Sequence, residues 1–388
     1  MFNIGIIGVG NAGGQNAALA AERLGVEALC LNSSQKDLDT LDNHVTKILI
    51  GDSKGAGKNR DEAKQFVKKS LKSIINDDAV KEFFNSEQKG AKDFVFVISS
   101  TGGGTGSGAA PLITEILMSI YPDVKFILVG ILPSISEAMS AQVNTLEYFK
   151  ELYETSSGVP YMIYDNEKMS DKAVNIMMET INKAIVDDID ILRGSHQIST
   201  KYSAIDEKDM TSILTTAGRI VIAGAKNIKE KMLDKTSIDE LIIEDFKNNA
   251  HAETNRDKIV HRLGIISVLD NRCAEHFDGQ MQKVQEFIGT PVETFQHFAI
   301  KDDNSGMNND VIVVASGLSR LDDRIDRIKD RIDEINAAME AAKHRQDGLN
   351  GIDIDALNSK KHAGDSKSPV SDGKLTDVSS ILAKFGVD

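Results

Sequence analysis

Thr101-Gly102-Gly103-Gly104-Thr105-Gly106-Ser107-Gly108 lies between two stretches of opposite character. Before it, Phe94-Val95-Phe96-Val97-Ile98 is a short apolar run rich in β-branched and aromatic residues, the pattern of a strand buried on both faces. After it, Ala109 to Met118 has helical spacing, with Pro111 tolerable only in the first turn. The expected order is strand, glycine loop, helix. Glycines at 102, 103, 104, 106 and 108 allow positive φ and close approach of a ligand to the backbone. Thr105 and Ser107 add hydroxyls, and the helix start adds unpaired N–H groups at the positive dipole end. Such a combination is a phosphate cradle. It is not a P-loop, because no Lys-Ser or Lys-Thr follows the last glycine. Gly51 to Asn59 fails as well, with Asp52 where the first glycine should stand and Asn59 where a hydroxyl should.

Outward from this loop, the N-terminus repeats the pattern. Phe2 to Val9 reads as a buried strand, Gly8 to Asn16 as a glycine-rich loop, and Ala17 to Leu24 as a helix closed by Gly25. Gly8-x-Gly10-x-x-Gly13 alone is a dinucleotide fingerprint, which makes a Rossmann NAD-dependent oxidoreductase the rival reading. That reading needs an acid at the end of the next strand, but Glu27 to Leu31 ends in Asn32-Ser33-Ser34. A second glycine cradle has no role in it either.

Composition narrows the class. The chain has 388 residues, 41% of them hydrophobic and 27% charged, enough for two domains with proper cores. A net charge of −14 argues against direct nucleic-acid binding. No signal peptide is expected from Met1 to Gly8, and no apolar run approaches the ~20 residues that span a bilayer. Cys30 and Cys273 are too few for a disulfide framework, and a cytoplasmic location is expected.

Gly102-Gly103-Gly104-Thr105-Gly106-Ser107-Gly108 resembles the GGGTG[ST]G loop of the tubulin/FtsZ superfamily. The resemblance covers roughly residues 2–320 and implies an α/β fold: a Rossmann-like parallel-sheet GTPase domain (1–168), a long central helix (169–194) and a smaller α/β second domain (195–318). A C-terminal helix (319–346) and a disordered tail (347–388) would follow. It implies GTP or GDP as ligand, with Mg2+ carried by the nucleotide and bound directly by no side chain. The phosphates would lie against Gly102, Gly103, Gly104, Thr105, Gly106 and Ser107. Gly10, Asn11, Ala12 and Gln15 match the first nucleotide loop, and Asn32 the second. Gly55-Ala56-Gly57 resembles the loop closed over the γ-phosphate, with Arg60 where proline is usual. Glu137 matches a ribose contact; Asn166, in Asp165-Asn166-Glu167, and Asn182 match the base-reading asparagines. Met178 stands where an aromatic would stack on the base, so that sulfur–π packing would take its place.

Two acids complete the expected site. Asp206-x-x-Asp209 resembles the catalytic loop that acts on the GTP of the neighbouring subunit. Carboxylates one turn apart can orient a water toward a γ-phosphoryl group, and the same pair can equally cap the helix that follows. Beyond it, helices over Ser237–Phe246 and Ala274–Phe287 are expected. Leu321, Ile325, Ile328, Ile332, Ile335 and Met339 make an apolar stripe suited to docking. Val378 to Phe385 regains an apolar face on a polar tether, the form of a docking peptide. The long terminal helix and mixed loops resemble the plasmid- or phage-borne TubZ-type branch. They imply a head-to-tail filament that positions DNA through a DNA-bound adaptor held by the C-terminal helix or tail. An FtsZ-type division-ring GTPase and a non-hydrolysing homologue are the nearer alternatives.

Overall fold

The computed structural model describes residues 1–154, 158–194, 200, 202–253, 259–302 and 306–350, with side chains through 342. The tail peptide Val378 to Phe385 lies outside these. The strands are β1 (Ile4–Val9), β2 (Glu27–Asn32), β3 (Thr46–Leu49), a short hairpin of β4 (Asn85–Ser86) and β5 (Gly90–Ala91), β6 (Phe94–Ser100), β7 (Lys125–Leu132), β8 (Pro160–Asp165), β9 (Gly218–Ala225), β10 (Val260–Leu269), β11 (Pro291–Ile300) and β12 (Asp310–Leu318). The helices are α1 (Gly10–Leu24), α2 (Gln35–Asp39), α3 (Arg60–Asn76), α4 (Asp78–Phe84), α5 (Thr105–Ile120), α6 (Met139–Glu154), α7 (Val174–Leu192), α8 (Glu207–Leu214), α9 (Glu230–Leu233), α10 (Ile238–Asn248), α11 (Asn271–Ala274), α12 (Gln282–Ile288) and α13 (Asp322–Asn350).

Ten strands form one sheet in the order β11-β10-β12-β9-β8-β7-β6-β1-β2-β3. From β9 to β3 every neighbouring pair is parallel, whereas β12 runs antiparallel to both β9 and β10. β1 is buried along its whole length, as its continuous apolar run requires. Its residues alternate between two cores. Ile4 and Ile6 join Phe94 and Phe96 against α1 and α7, while Ile7 and Val9 join Val95 and Val97 against α3, α5 and α6. A third core packs α10 and α12 on β9, β10 and β12.

Several elements depart from the sequence reading. Both glycine stretches run into helices earlier than expected: α1 starts at Gly10 and α5 at Thr105, while Thr101 to Gly104 remain a loop. Pro111 is thus the seventh residue of α5, past the first turn. The helix expected over Ala274–Phe287 is two short helices, interrupted where Gly279 and Met281 take φ of 71° and 53°. One compact unit spans Met1–Ile335 and a second begins at Asn336. The stripe is buried at Leu321, just before α13, and at Ile328 and Ile332 on it. Among the described residues, no helix is long and apolar enough to cross a membrane.

Candidate functional site

In an open parallel sheet, ligands bind outside the carboxyl ends of the strands, where the strand order reverses. Here β1 leads to β2 and β3 on one side, and β6 leads to β7 and β8 on the other. Their helices diverge to opposite faces, with α1 on one core and α5 on the other. The crevice between the ends of β1 and β6 is flanked by the two glycine stretches.

Main chain meets main chain there. A Cβ on Gly10 would stand 2.9 Å from the Gly106 nitrogen, and Gly10 itself needs φ of +75°. A Cβ on Gly104 would lie 2.7 Å from Lys58 Cα, and one on Gly108 2.4 Å from the Arg60 carbonyl oxygen. Within 102–108 no glycine takes positive φ. The expectation of left-handed backbone in this loop is therefore corrected: Gly104, Gly106 and Gly108 answer the close passage of neighbouring protein backbone. Gly103 differs, because a Cβ there would meet nothing within 4 Å. The loop opens at that point. The first amides of α5, Thr105 to Ser107, have no carbonyl four residues back within the helix, so they are free to bind an anion.

The Ser107 hydroxyl turns inward to donate to the Gly103 carbonyl, and Thr105 Oγ1 bonds Ser33 Oγ at 2.7 Å. Asn32 is buried: its Oδ1 accepts from the Ser34 N–H at 3.1 Å and its amide donates to Asp37 at 3.4 Å. Gly55 N–H bonds the Ser33 carbonyl, Ala56 is buried, and Gly57 faces open space. Lys54 and Lys58 are exposed.

Two supporting roles escaped the sequence reading. Asn144 on α6 directs its amide at the carbonyls of Lys58, Gly102 and Gly103, at 3.0, 3.2 and 3.1 Å, so it ties both loops together. Its signal was a polar residue on the buried face of a helix, between Ala141 and Tyr148. Arg60 has the other. Pro111 has no N–H for the Ser107 carbonyl, and Arg60 donates to that oxygen at 2.9 Å. Glu151 pairs with Arg60 at 2.8 Å and with Lys64. The arginine in place of proline and the proline inside a helix thus compensate each other.

On the other side of the crevice, Glu137 Oε1 accepts from the Ser134 N–H at 2.9 Å and lies 3.5 Å from the Asn166 amide. Burial would raise the Glu167 carboxyl, but bonds from Ser134 and Ile135 and the nearby Arg324 and Arg327 outweigh it and hold its pKa below the usual value. Asn11 and Ala12 lie in the first turn of α1, and Gln15 bonds Asn11 at 3.4 Å. Asn182 on α7 accepts from buried Asn16 at 2.8 Å. Gln15 and Asn182 line an open groove of about 920 Å³ between α1 and α7. Met178 is exposed one turn before Asn182, on the same side of the helix.

Asp206 and Asp209 are not brought to this crevice. Asp206 Oδ1 accepts from the amides of Lys208 and Asp209 at 2.8 and 2.9 Å, while Asp209 Oδ2 accepts from the Asp206 N–H at 3.3 Å. This is a reciprocal N-cap of α8, and each carboxylate keeps its other oxygen outside it. The adjacent Glu207 pairs with the Met1 amino group at 3.2 Å, ahead of the start of β1. α8 leads into β9, whose first residues pair with the first residues of β8. The acids therefore stand at the amino end of the sheet. The six residues of β1 alone separate the ends by about 20 Å at ~3.3 Å each.

Residues 3–173 match the model of the Tubulin/FtsZ family, GTPase domain. The chain is 29% identical over 253 residues to the tubulin-like protein CetZ of Pyrococcus abyssi, covering 63% of this chain and 66% of that protein. With the tubulin-like protein TubZ of Clostridium botulinum C phage it shares 25% identity over 295 residues, 75% of this chain and 72% of that one. A GTPγS-form protofilament structure of Bacillus thuringiensis serovar israelensis TubZ superposes with a TM-score of 0.74 at 15% identity, covering 90% of this chain and 94% of that one. This last likeness shows the fold.

Proposed function

We propose, on the premise that residues 3–173 are a Tubulin/FtsZ family GTPase domain, that the protein is a cytoplasmic GTPase that polymerises head to tail. Each subunit binds GTP in the β1–β6 crevice, and Asp206 and Asp209 of the next subunit hydrolyse it. The observation that carries this reading is the separation of the two halves of the site to opposite ends of one sheet. Neither half can reach the other within a chain, and copies stacked along the strand direction join them.

In this reading Gly103 and the amides of Thr105, Gly106 and Ser107 receive the phosphates, with Gly55 to Gly57 covering the γ-phosphate. Glu137 takes the ribose, Asn166 and Asn182 read the base with Met178 packed on it, and Gln15 faces the base or the metal-bound phosphates. Mg2+ arrives with the triphosphate and offsets charge on its oxygens. The free oxygens of Asp206 and Asp209 orient the attacking water, a positioning role suited to a phosphoryl transfer that needs little covalent help. For cargo, plasmid or phage DNA held through an adaptor is the role that the TubZ-type resemblance implies, and one relative is a phage protein.

The test is GTP turnover by purified protein across a concentration series, with pelleting followed in parallel. Turnover per subunit should stay near zero and climb where pellet appears. Constant turnover without pellet would mean a site complete in one chain and would remove the acids' role. For the cargo, capture with the full-length protein from its host should recover a DNA-bound adaptor. Recovery of division proteins alone would replace DNA positioning with a division ring.

A further inference from the structure

α13 begins two residues before Arg324, whose side chain is 2% exposed. Arg324 Nε donates to Asp165 Oδ2 at 2.7 Å, and Nη2 donates to Asp165 Oδ1 at 3.0 Å and to the Pro133 carbonyl at 2.8 Å. Asp165 is equally buried, so this is a two-point pair away from water, 159 positions apart in sequence. Leu132 and Asp165 are register partners where β7 and β8 end, so the guanidinium grips both chains as they leave the sheet.

The segments that start there carry Glu137 and Asn166. They are already tied to each other, since Glu167 accepts from Ser134 Oγ at 2.7 Å and from the Ile135 N–H at 2.8 Å. Asp165 Oδ1 also accepts from the Glu167 N–H at 3.0 Å, which sets the turn bearing Asn166. Leu321, Ile328 and Ile332 already bury the stripe of α13, so docking the helix does not call for a buried charge. The phosphate side has its own supports in Asn144 and Arg60.

We infer that Arg324 is a positioning residue of the nucleotide site: through Asp165 and Pro133 it sets the segments carrying Glu137 and Asn166, and so makes the C-terminal helix part of the apparatus that selects the base. The inference rests on the GTP reading above. It separates the two sides of the ligand. Disturbing Arg324 weakens what touches base and ribose and spares what touches phosphate.

The experiment is calorimetry on the full chain and its Arg324→Lys variant with GTP, ITP and inorganic tripolyphosphate. Lysine keeps the charge and loses the two-point fork. Affinity for GTP should fall roughly tenfold and the preference for GTP over ITP should shrink, with tripolyphosphate within about twofold. A folded variant with an unchanged GTP-to-ITP ratio, or with equal losses for all three ligands, reduces Arg324 to a helix anchor. Should Arg324→Lys fail to fold, the Arg324→Gln/Asp165→Asn double variant buries no unpaired charge and is read the same way. If the unaltered protein binds tripolyphosphate but neither nucleoside triphosphate, the GTP reading itself fails and takes this inference with it.

Discussion

At the carboxyl end of β1, Gly10 and Gly106 bring two main chains so close that a single Cβ would not fit. At the amino end of the same sheet, Asp206 is exposed and accepts from the Lys208 and Asp209 amides, and half-buried Asp209 accepts from the Asp206 amide. In the first region, close main-chain packing at Gly10, Gly104, Gly106 and Gly108 surrounds the amides proposed to take the phosphates. The second is a pair of carboxylates that, among the described residues, cap α8 and stand away from the crevice. On the proposed reading, a receptor and an acidic pair on opposite ends suit a stacking molecule, because contact between copies would then create the active arrangement.

The largest expected effect is at the donor end. Asp206→Asn and Asp209→Asn each keep an N-cap-compatible side chain and remove a charge. GTP turnover should fall about 100-fold, equivalent to roughly 3 kcal/mol of transition-state stabilisation. Folding stability should change by less than about 0.5 kcal/mol, and filaments should still pellet and persist. Phosphate release and sedimentation on the same samples check this. Ordinary turnover in both variants would leave the acids as helix caps and erase the contrast.

At the receptor end, two alanines sharpen it. Gly108→Ala drives a Cβ to 2.4 Å from the Arg60 carbonyl, a backbone atom that cannot swing aside. Overpacking of this kind should destabilise by about 2–3 kcal/mol, read by denaturant unfolding. Gly103→Ala adds the same methyl to open space. It should unfold within about 0.5 kcal/mol of the parent and yet bind GTP several-fold more weakly, because the methyl enters the ligand's side of the loop. If Gly103→Ala binds normally, the phosphates lie elsewhere on the crevice.

How much of this was legible depends on how many meanings a residue type has. Strand, glycine stretch and helix at 94–118 were readable because seven residues of that composition fit few structures. The helix starts at Gly10 and Thr105 were not, since glycine is a poor helix former and the close backbone approaches at Gly10, Gly106 and Gly108 belong to the fold. Asn144 and Arg324 were missed for a different reason: a polar residue's partners are fixed by the fold, and theirs are 42 and 159 positions away. Arg324 did leave a trace. It falls three residues after Leu321 and four before Ile328, on the face the apolar stripe buries. Asp206 and Asp209 had two readings in the sequence: the cap is visible in a single chain, while the proposed catalytic role needs a second copy to be seen.

The smallest effect tests whether the receptor's rigidity comes from paired departures. Pro111 leaves the Ser107 carbonyl without its helical donor, and Arg60 supplies one from α3. Arg60→Met should therefore lose that bond and leave Glu151 with Lys64 as its remaining partner. In a Pro111→Ala background the helix regains its own N–H for Ser107, so the same Arg60→Met change should be milder. The coupling between the two positions should be about 1 kcal/mol, the worth of one ordinary hydrogen bond, measured as a double-mutant cycle in urea. Independent effects would mean that the loop is held by glycine packing and Asn144, with Arg60 serving Glu151 alone. A coupling of the expected sign would show that the arginine and the proline work as one device at the start of α5.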